Sequence, residues 1–297
     1  ALYAAAFYAA EQLVYSKGKS NAFFKIATTR QPALDWVILG ASHAMPLDFA
    51  DFNGFMEAET RLRILNLASP GTGPLYNRFV LEHFLSRHRA TNLLYVLDSF
   101  AFYSPAWNEE RFADVKLLRR TPLDLDVARR LSVYVRQEGV DPRALLDYVT
   151  GFSKVNNRER FEPDVWEGEK QFERVYRPSA TATRSRIAYL YPKAPDPAGL
   201  SRYLEEFKAI IALARQRDMR VIVIKMPVPS QFQNQLPDEA VFDGVVSQML
   251  GREQVVFHDF ARAMDEPRFY FDTDHLNRAG LTEFFHRHLK TILVSRD

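Results

Sequence analysis

Cysteine is absent from this chain of 297 residues, and neither sign of charge dominates it. Without cysteine there are no disulfides, no thiolate metal sites and no cysteine nucleophile, although the absence fits a reducing and an oxidising compartment equally well. Lysine and arginine number 39 against 37 aspartate and glutamate, and the charges are interspersed rather than grouped. Because nucleic-acid binding needs clustered cations that displace counterions from phosphates, we expect no nucleic-acid partner.

Long apolar runs are missing as well. The opening stretch, ALYAAAFYAAEQLVY, is interrupted by Glu11 and Gln12 and is too short to cross a bilayer. We interpret it either as an amphipathic helix that docks on the protein or as the tail of a membrane anchor. Since the chain does not open on methionine, we expect a processed or truncated product whose N-terminus lies upstream.

Short apolar runs alternate with helical patterns along most of the chain. Continuous runs of Val, Ile and Leu separated by amphipathic helices are typical of a parallel sheet covered on both faces. We therefore predict an α/β fold: a doubly wound three-layer sandwich with a five-stranded, mostly parallel sheet, in a single domain spanning residues 1–297. The predicted strands are 36–40, 61–67, 92–98, 220–227 and 254–260.

The segment 100–197 breaks this alternation. It carries aromatic and arginine residues, the polar stretch SKVNNRERFEP and the run RPSATATRSR, without a clear strand pattern. We predict that it is an insertion, helical in part, which lies over the site as a lid or as a partner-binding surface. Within it, Arg184 and Arg186 are interpreted as residues of a solvated loop, with an anionic polymer as the alternative.

Two short polar segments near opposite ends of the chain could carry chemistry. GASH, residues 40–43, follows the first predicted strand, where helix N–H groups favour a developing oxyanion beside the serine. FYFDTDHLNRAG, residues 269–280, follows the fifth strand and places Asp272 three residues before His275. Because parallel strands end at a common edge, the segments predict a triad of Ser42 as nucleophile, His275 as base and Asp272 as its orienting acid. The competing interpretation of Ser42 is a helix N-cap.

These segments resemble the sequence blocks of the SGNH hydrolases, also called the GDSL family. GASH is similar to the Ser block, NLASPGTG to the Gly block and DTDH to the closing Asp-x-x-His block. The resemblance implies a flavodoxin-like sheet and Ser-His-Asp catalysis, with an oxyanion hole built from the backbone N–H groups of Ser42 and Gly71. At the third block YVLDSFAFYSP departs from the usual Gly-x-Asn-Asp and offers Asp98 and Ser99, which makes Ser99 the candidate for a further donor.

The first block also departs from the commonest version, since it has His43 in place of Leu and no Asp before the serine. Variants of this kind resemble the membrane-tethered, extracytoplasmic branch that handles acyl groups on cell-envelope polymers, including proteins of alginate O-acetylation and of D-alanyl transfer to teichoic acids. The resemblance implies a periplasmic or cell-surface location, an N-terminal anchor, an acylated polysaccharide or other ester as substrate, and a membrane protein as a partner.

The function implied is that of a serine esterase or O-acyltransferase. One alternative is a non-catalytic glycan-binding or scaffold protein of an envelope-modification complex, which the altered third block favours. Another is a flavodoxin-like nucleotide binder, which is disfavoured because no Gly-rich phosphate loop follows the first strand.

Three further side chains, His43, Asp98 and Asp274, are candidates for supporting contacts around the predicted triad. Asp274 is interpreted preferentially as a solvated turn carboxylate, and Asn277 as the cap of the terminal helix. We expect neither a metal nor a cofactor, because the histidines on helical stretches have no carboxylate at ligand spacing. Those histidines, interpreted as surface or core residues, are His83, His88, His286 and His288.

Overall fold

Five parallel strands form the centre of the fold in a computed structural model that describes residues 1–295. The strands are β1 (Ala33–Gly40), β2 (Ile64–Asn66), β3 (Arg89–Val96), β4 (Arg220–Lys225) and β5 (Val256–Asp259). Their order is β2-β1-β3-β4-β5, and every neighbouring pair is parallel. The α/β prediction is confirmed, and the sheet is parallel throughout where a mostly parallel one was expected.

Helices cover both faces of this sheet. The α-helices are α1 (Leu2–Lys17), α2 (Ala22–Thr28), α3 (Phe52–Thr60), α4 (Pro74–Arg87), α5 (Val115–Leu118), α6 (Leu125–Gln137), α7 (Pro142–Thr150), α8 (Phe152–Val155), α9 (Glu167–Lys170), α10 (Ala180–Leu190), α11 (Pro197–Arg215), α12 (Ser230–Gln233), α13 (Glu239–Arg252), α14 (Arg278–Phe284) and α15 (Lys290–Val294). A π-helical turn, Phe285–Leu289, joins α14 to α15.

Alternation along β1 shows how the two layers are held. Trp36 and Ile38 belong to one apolar cluster, with α3 and the C-terminal helices, whereas Val37 and Leu39 belong to the other, with α4 and α11. All four side chains are fully buried. Burial on both faces explains why β1 is a continuous apolar run rather than an alternation of polar and apolar residues.

The order in which strands are added to the sheet reverses at β1, because β2 lies on one side of β1 and β3 lies on the other. In open parallel sheets the crevice at such a point, beyond the carboxyl ends of the strands, is where sites form. At this point β1 ends in Gly40, which has φ +148°, and a Cβ there would lie 2.8 Å from the Val96 carbonyl oxygen. Glycine therefore allows the chain to leave β1 close to β3.

Between β3 and β4 the described chain forms helices and short turns without a further strand. This agrees with the expected helical content of segment 100–197, whose limits as an insertion remain a prediction. At the N-terminus, α1 docks on the α7–α8 region: the Tyr3 hydroxyl donates to the Thr150 carbonyl at 3.0 Å, and Glu11 pairs with Lys154. Among residues 1–295, no helix combines the length and apolarity required to cross a membrane.

Candidate active site

The turn that follows β1 presents Ser42 to a cavity. Ser42 is buried, and the turn is closed by the Ala44 amide, which donates to the Ala41 carbonyl at 3.2 Å. The next helical turn starts at Met45 without a side-chain cap. Within residues 1–295 the Ser42 hydroxyl makes no hydrogen bond, so the N-cap interpretation of this serine is wrong.

The loop before α14 orients His275 against the carboxylate of Asp272. Asp272 Oδ1 accepts the backbone N–H of His275 at 2.8 Å and that of Asp274 at 3.1 Å. The same carboxylate lies 2.9 and 3.0 Å from His275 Nδ1. The predicted cap is confirmed directly after this loop, because the Asn277 side chain accepts the Gly280 amide at 2.9 Å. The loop is therefore held at both ends, and the imidazole is oriented by an anchored acid.

The two ends of the chain meet at this point. The His43 ring lies 4.8 Å from the His275 ring, centroid to centroid, so the residue after Ser42 contacts the predicted base. His275 Nε2 is buried and has no hydrogen-bond partner among the described residues. Ser42 is thus one residue away in sequence from a side chain that contacts His275, and no hydrogen bond joins its hydroxyl to this nitrogen.

Gly71 lines the same cavity as Ser42. Its φ is +60°, and a Cβ there would lie 2.8 Å from the Trp107 ring, so only glycine fits this turn. In the described part of the chain, neither the Gly71 amide nor the Ser42 amide donates a hydrogen bond. Both are therefore available for an oxyanion.

The predicted further donor, Ser99, is engaged elsewhere. Its hydroxyl donates to Glu239 at 2.5 Å and lies 2.7 Å from the Tyr191 hydroxyl. Glu239 also binds the buried ammonium of Lys225 at 2.5 Å. Burial lowers the pKa of Lys225, but the charge of Glu239 outweighs this effect and leaves the pKa above its ordinary value. The assignment of Ser99 to an oxyanion hole is corrected, because its proton is bound by a buried carboxylate.

A buried chain of alternating charges runs behind the turn that carries Ser42. His43 Nδ1 is paired with Asp98, and its Nε2 lies 3.4 Å from Asp274 Oδ2. Asp274 in turn accepts Arg186 Nε at 3.0 and 3.1 Å and lies 2.9 Å from Arg186 Nη2. The chain connects the ends of β1 and β3 to the loop of His275 and to α10.

Two sequence interpretations fail here for the same reason. Asp274 is 0% exposed rather than a solvated turn carboxylate, and Arg186 lies on α10 against it rather than in a solvated loop. The partners are separated by 88 residues, so no local pattern signals their pairing. By contrast, the expectation that His43 and Asp98 support the site agrees with their position in the chain of charges.

Neighbouring charges determine the protonation of His43 and Asp274 in this buried chain of charges. Burial lowers the pKa of His43, but the charge of Asp98, the contact with Asp274 and the hydrogen bond with Asp98 outweigh it and raise the pKa to about 10. Burial raises the pKa of Asp274, whereas Arg186, His275 and His43 together bring it well below its ordinary value. His43 is therefore an imidazolium at neutral pH, held between two carboxylates.

This raised pKa predicts a loss of stability at alkaline pH. Its contribution is complete below pH 6.5 and declines as pH rises through about 10, because only the folded state retains the proton there. At about 1.4 kcal/mol per pH unit, the decline totals at most about 5 kcal/mol. We expect denaturant unfolding between pH 7 and 10.5 to show this slope.

The control removes the His43–Asp98 ion pair and leaves the net buried charge unchanged. His43→Gln combined with Asp98→Asn eliminates one cation and one anion, so the double variant is expected to lack this part of the alkaline slope. An equal slope in both proteins would contradict the assignment of His43 as a buried cation.

His43, Asp274 and His275 bring potential metal-ligand atoms within 4.8 Å of one another. A metal would require neutral imidazoles and a carboxylate free to coordinate. Here His43 carries a proton, and Arg186 contacts both oxygens of Asp274. The chemistry of the donor set therefore fits an ion-pair network better than a metal site.

The cavity in front of Ser42 measures about 640 Å³. Trp166 and Tyr189 line it, and the Trp166 ring also lies 5.8 Å from the His275 ring. Its cationic side chains are each paired with a carboxylate. The pairs are Arg111–Asp114, Arg119–Glu159, Arg120–Asp164, Lys170–Glu167 and Arg186–Asp274.

Comparison with known proteins adds little. No protein-family model and no curated protein sequence matches the chain. Among solved structures, it is similar to that of "a putative acylhydrolase" from Bacteroides fragilis, with a TM-score of 0.45 and 9% identity over 93% of this chain and 98% of that chain. Likeness of this degree does not assign an activity, so the functional case depends on the side chains described above.

Proposed function

We propose that this protein is a serine-dependent acyl ester hydrolase or O-acyltransferase. The observation that carries the proposal is the Asp272–His275 pair, in which the buried Nε2 atom of His275 has no hydrogen-bond partner within residues 1–295. The pair contacts the turn of Ser42 through the His43 ring, 4.8 Å away. A base with an orienting carboxylate beside a serine is what nucleophilic acyl transfer requires.

In the proposed reaction Ser42 Oγ attacks the ester carbonyl while His275 Nε2 takes the hydroxyl proton. The carbonyl electrons move to oxygen, which accepts hydrogen bonds from the amides of Ser42 and Gly71. Collapse breaks the bond to the alcohol, which leaves with the proton from His275. Water or a sugar hydroxyl then releases the acyl group from Ser42. Hydrogen bonds between nucleophile and base commonly tighten only when substrate binds.

The charge balance of the cavity supports a substrate without net charge. An anionic polymer is normally recognised by cations that are free to pair with it. Among the described lining residues every cation already has a carboxylate partner. The aromatic rings of Trp166 and Tyr189 offer faces for sugar rings. We therefore favour acyl esters on a neutral, hydroxyl-rich glycan.

The cellular setting is the finer part of the proposal. The resemblance of the GASH segment to the envelope-modifying branch supports an extracytoplasmic protein with an N-terminal anchor and a membrane protein partner. The exposed apolar side chains of α1, Leu2, Tyr3 and Tyr8, are compatible with such a partner.

The proposal is tested with a fluorophosphonate probe, which reacts with activated serines. We expect labelling of the native chain at Ser42, located by peptide mass mapping, together with hydrolysis of a short-chain aryl ester. Both are expected to vanish in Ser42→Ala. Equal labelling of the two proteins would exclude Ser42 as the nucleophile.

Gly71→Ala is expected to lower kcat for the aryl ester by about 10- to 1,000-fold, with little change in KM. The added Cβ meets the Trp107 ring at 2.8 Å and requires a strained φ of +60°, so the amide moves away from the oxyanion. Gly244→Ala, in α13 and with open space around its Cβ, is the matched control. Unchanged kcat in Gly71→Ala would remove this amide from the oxyanion hole.

The alternative is a non-catalytic glycan-binding or scaffold protein. Two observations favour it: Ser99 is committed to Glu239, and His275 Nε2 is not hydrogen-bonded to Ser42. It predicts that the probe leaves the native chain unlabelled, whereas glycan binding measured by calorimetry persists in Ser42→Ala.

A further inference from the structure

Two carboxylates compete for one imidazole in the candidate active site. Asp272 lies 2.9 Å from His275 Nδ1, and Asp274 Oδ1 lies only 3.7 Å from the same nitrogen. A carboxylate this close favours the protonated ring, and two of them favour it more. A general base must be unprotonated to act, so an unbalanced second carboxylate would oppose the proposed function.

Arg186 binds the carboxylate of Asp274. Its guanidinium contacts both carboxylate oxygens, with Nε at 3.1 and 3.0 Å and Nη2 at 2.9 Å, and the Thr273 hydroxyl donates to Oδ1 at 2.5 Å. Arg186 comes from α10, which lies between β3 and β4 in the chain, whereas Asp274 comes from the loop before α14. Asp272, by contrast, is bound by backbone N–H groups of its own loop.

We propose that Arg186 is a positioning residue that neutralises Asp274 and so leaves Asp272 as the effective partner of His275. The inference rests on the proposed function. It assigns to the inserted segment a part in the chemistry: α10 supplies the cation that keeps the base usable. Arg186 does this through Asp274 and contacts no reacting atom.

The surroundings of His275 limit the groups that could act in place of Arg186. The charged groups that face its ring are Asp272 and Asp274 from its own loop and His43 from the turn after β1. Its other ring contacts are with Phe271, at 5.5 Å, and Trp166, at 5.8 Å, and neither titrates. His43 also pairs with Asp98, so it balances Asp274 only in part.

The test compares Arg186→Gln with Arg184→Gln, which removes an exposed charge from the same helix. Histidine-labelled protein is titrated by NMR, with the His275 signal assigned from a His275→Gln sample. We expect the titration midpoint of His275 to rise by about one pH unit in Arg186→Gln and to stay in place in Arg184→Gln. The acid limb of kcat/KM for the aryl ester is expected to move by the same amount.

A third protein separates charge compensation from other roles of Arg186. Adding Asp274→Asn to Arg186→Gln removes the competing carboxylate, so the midpoint is expected to return toward that of the native protein. If Arg186→Gln does not fold, Asp274→Asn alone is compared with Asp274→Asn combined with Arg186→Gln. Both lack the competing carboxylate, so their midpoints are expected to agree, and a difference would show that Arg186 acts on His275 by another route. An unmoved midpoint in Arg186→Gln, or a shift that Asp274→Asn fails to reverse, would overturn the inference.

The NMR titration also separates this inference from the proposed function. A native protein without esterase activity or probe labelling would count against the function, yet its His275 signal would still report whether Arg186 governs the protonation of the ring. Conversely, full activity with an unmoved midpoint would remove the role of Arg186 and leave the serine mechanism standing.

Discussion

Replacing Ser42 by Ala is expected to lower kcat/KM for an aryl ester by about 10⁵-fold or more, and replacing His275 as well is expected to add almost nothing. The serine and the imidazole act as one unit, since the hydroxyl attacks only while Nε2 accepts its proton. Once either is missing, the other has no function in the reaction. Single and double variants should therefore share one residual rate.

The geometry makes this a strict test. In the described part of the chain His275 Nε2 is buried without a hydrogen-bond partner, and the ring of His43, the residue after Ser42, lies 4.8 Å from the His275 ring. Ser69→Ala is the control, because Ser69 lines the same cavity and is also buried. We expect that variant to retain activity. Additive losses in the double variant of Ser42 and His275 would contradict a shared proton transfer, and equal losses in Ser69→Ala would indicate damage to the cavity.

Most of the sheet could be predicted because burial on both faces leaves a mark in the sequence. β1 and β4 are runs of apolar residues that neighbouring helices cover; β1 ends and β4 begins where predicted, although β1 starts at Ala33 and β4 stops at Lys225. The edge strands were predicted too long: β2 is Ile64–Asn66 and β5 is Val256–Asp259. An edge strand pairs on one side only, so apolar residues flanking it pack without joining the ladder.

The local parts of the site were also within reach of the sequence. The spacing of Asp272 and His275 places donor and acceptor within one turn, and Asn277 caps the helix that follows. Local patterns, however, do not distinguish two carboxylates in the same loop. Asp274 is distinguished from Asp272 by its contacts with His43 and with Arg186, which is 88 residues away.

The same argument explains why the oxyanion role predicted for Ser99 is wrong. From the order of the blocks it takes the place of an oxyanion donor, yet its partners Glu239 and Tyr191 come from segments remote in the chain. A buried lysine at the end of β4, Lys225, draws Glu239 into that position. The third block was therefore misread because a polar cluster on the far side of β3 binds the serine.

Asp272→Asn is expected to lower kcat/KM for the aryl ester by about 10⁴-fold while the fold is retained. The asparagine carbonyl can still accept the amides of His275 and Asp274, now received by Oδ1 at 2.8 and 3.1 Å. Its NH₂ group then faces His275 Nδ1 and donates to it. This holds the imidazole in the tautomer that carries its proton on Nε2, which cannot accept a proton from Ser42.

The substitution changes both the tautomer of His275 and the charge beside it, and NMR separates the two effects. NMR of labelled histidine should show the proton on Nε2 in Asp272→Asn and on Nδ1 in the native protein at neutral pH, a difference that mere loss of a neighbouring charge does not produce. Asp265→Asn, which removes a carboxylate bound to the Ser230 amide at 2.7 Å, is the control and should retain activity. If Asp272→Asn keeps native kcat/KM, then Asp274 rather than Asp272 orients the base, and the neutralisation of Asp274 by Arg186 would have no place in the mechanism.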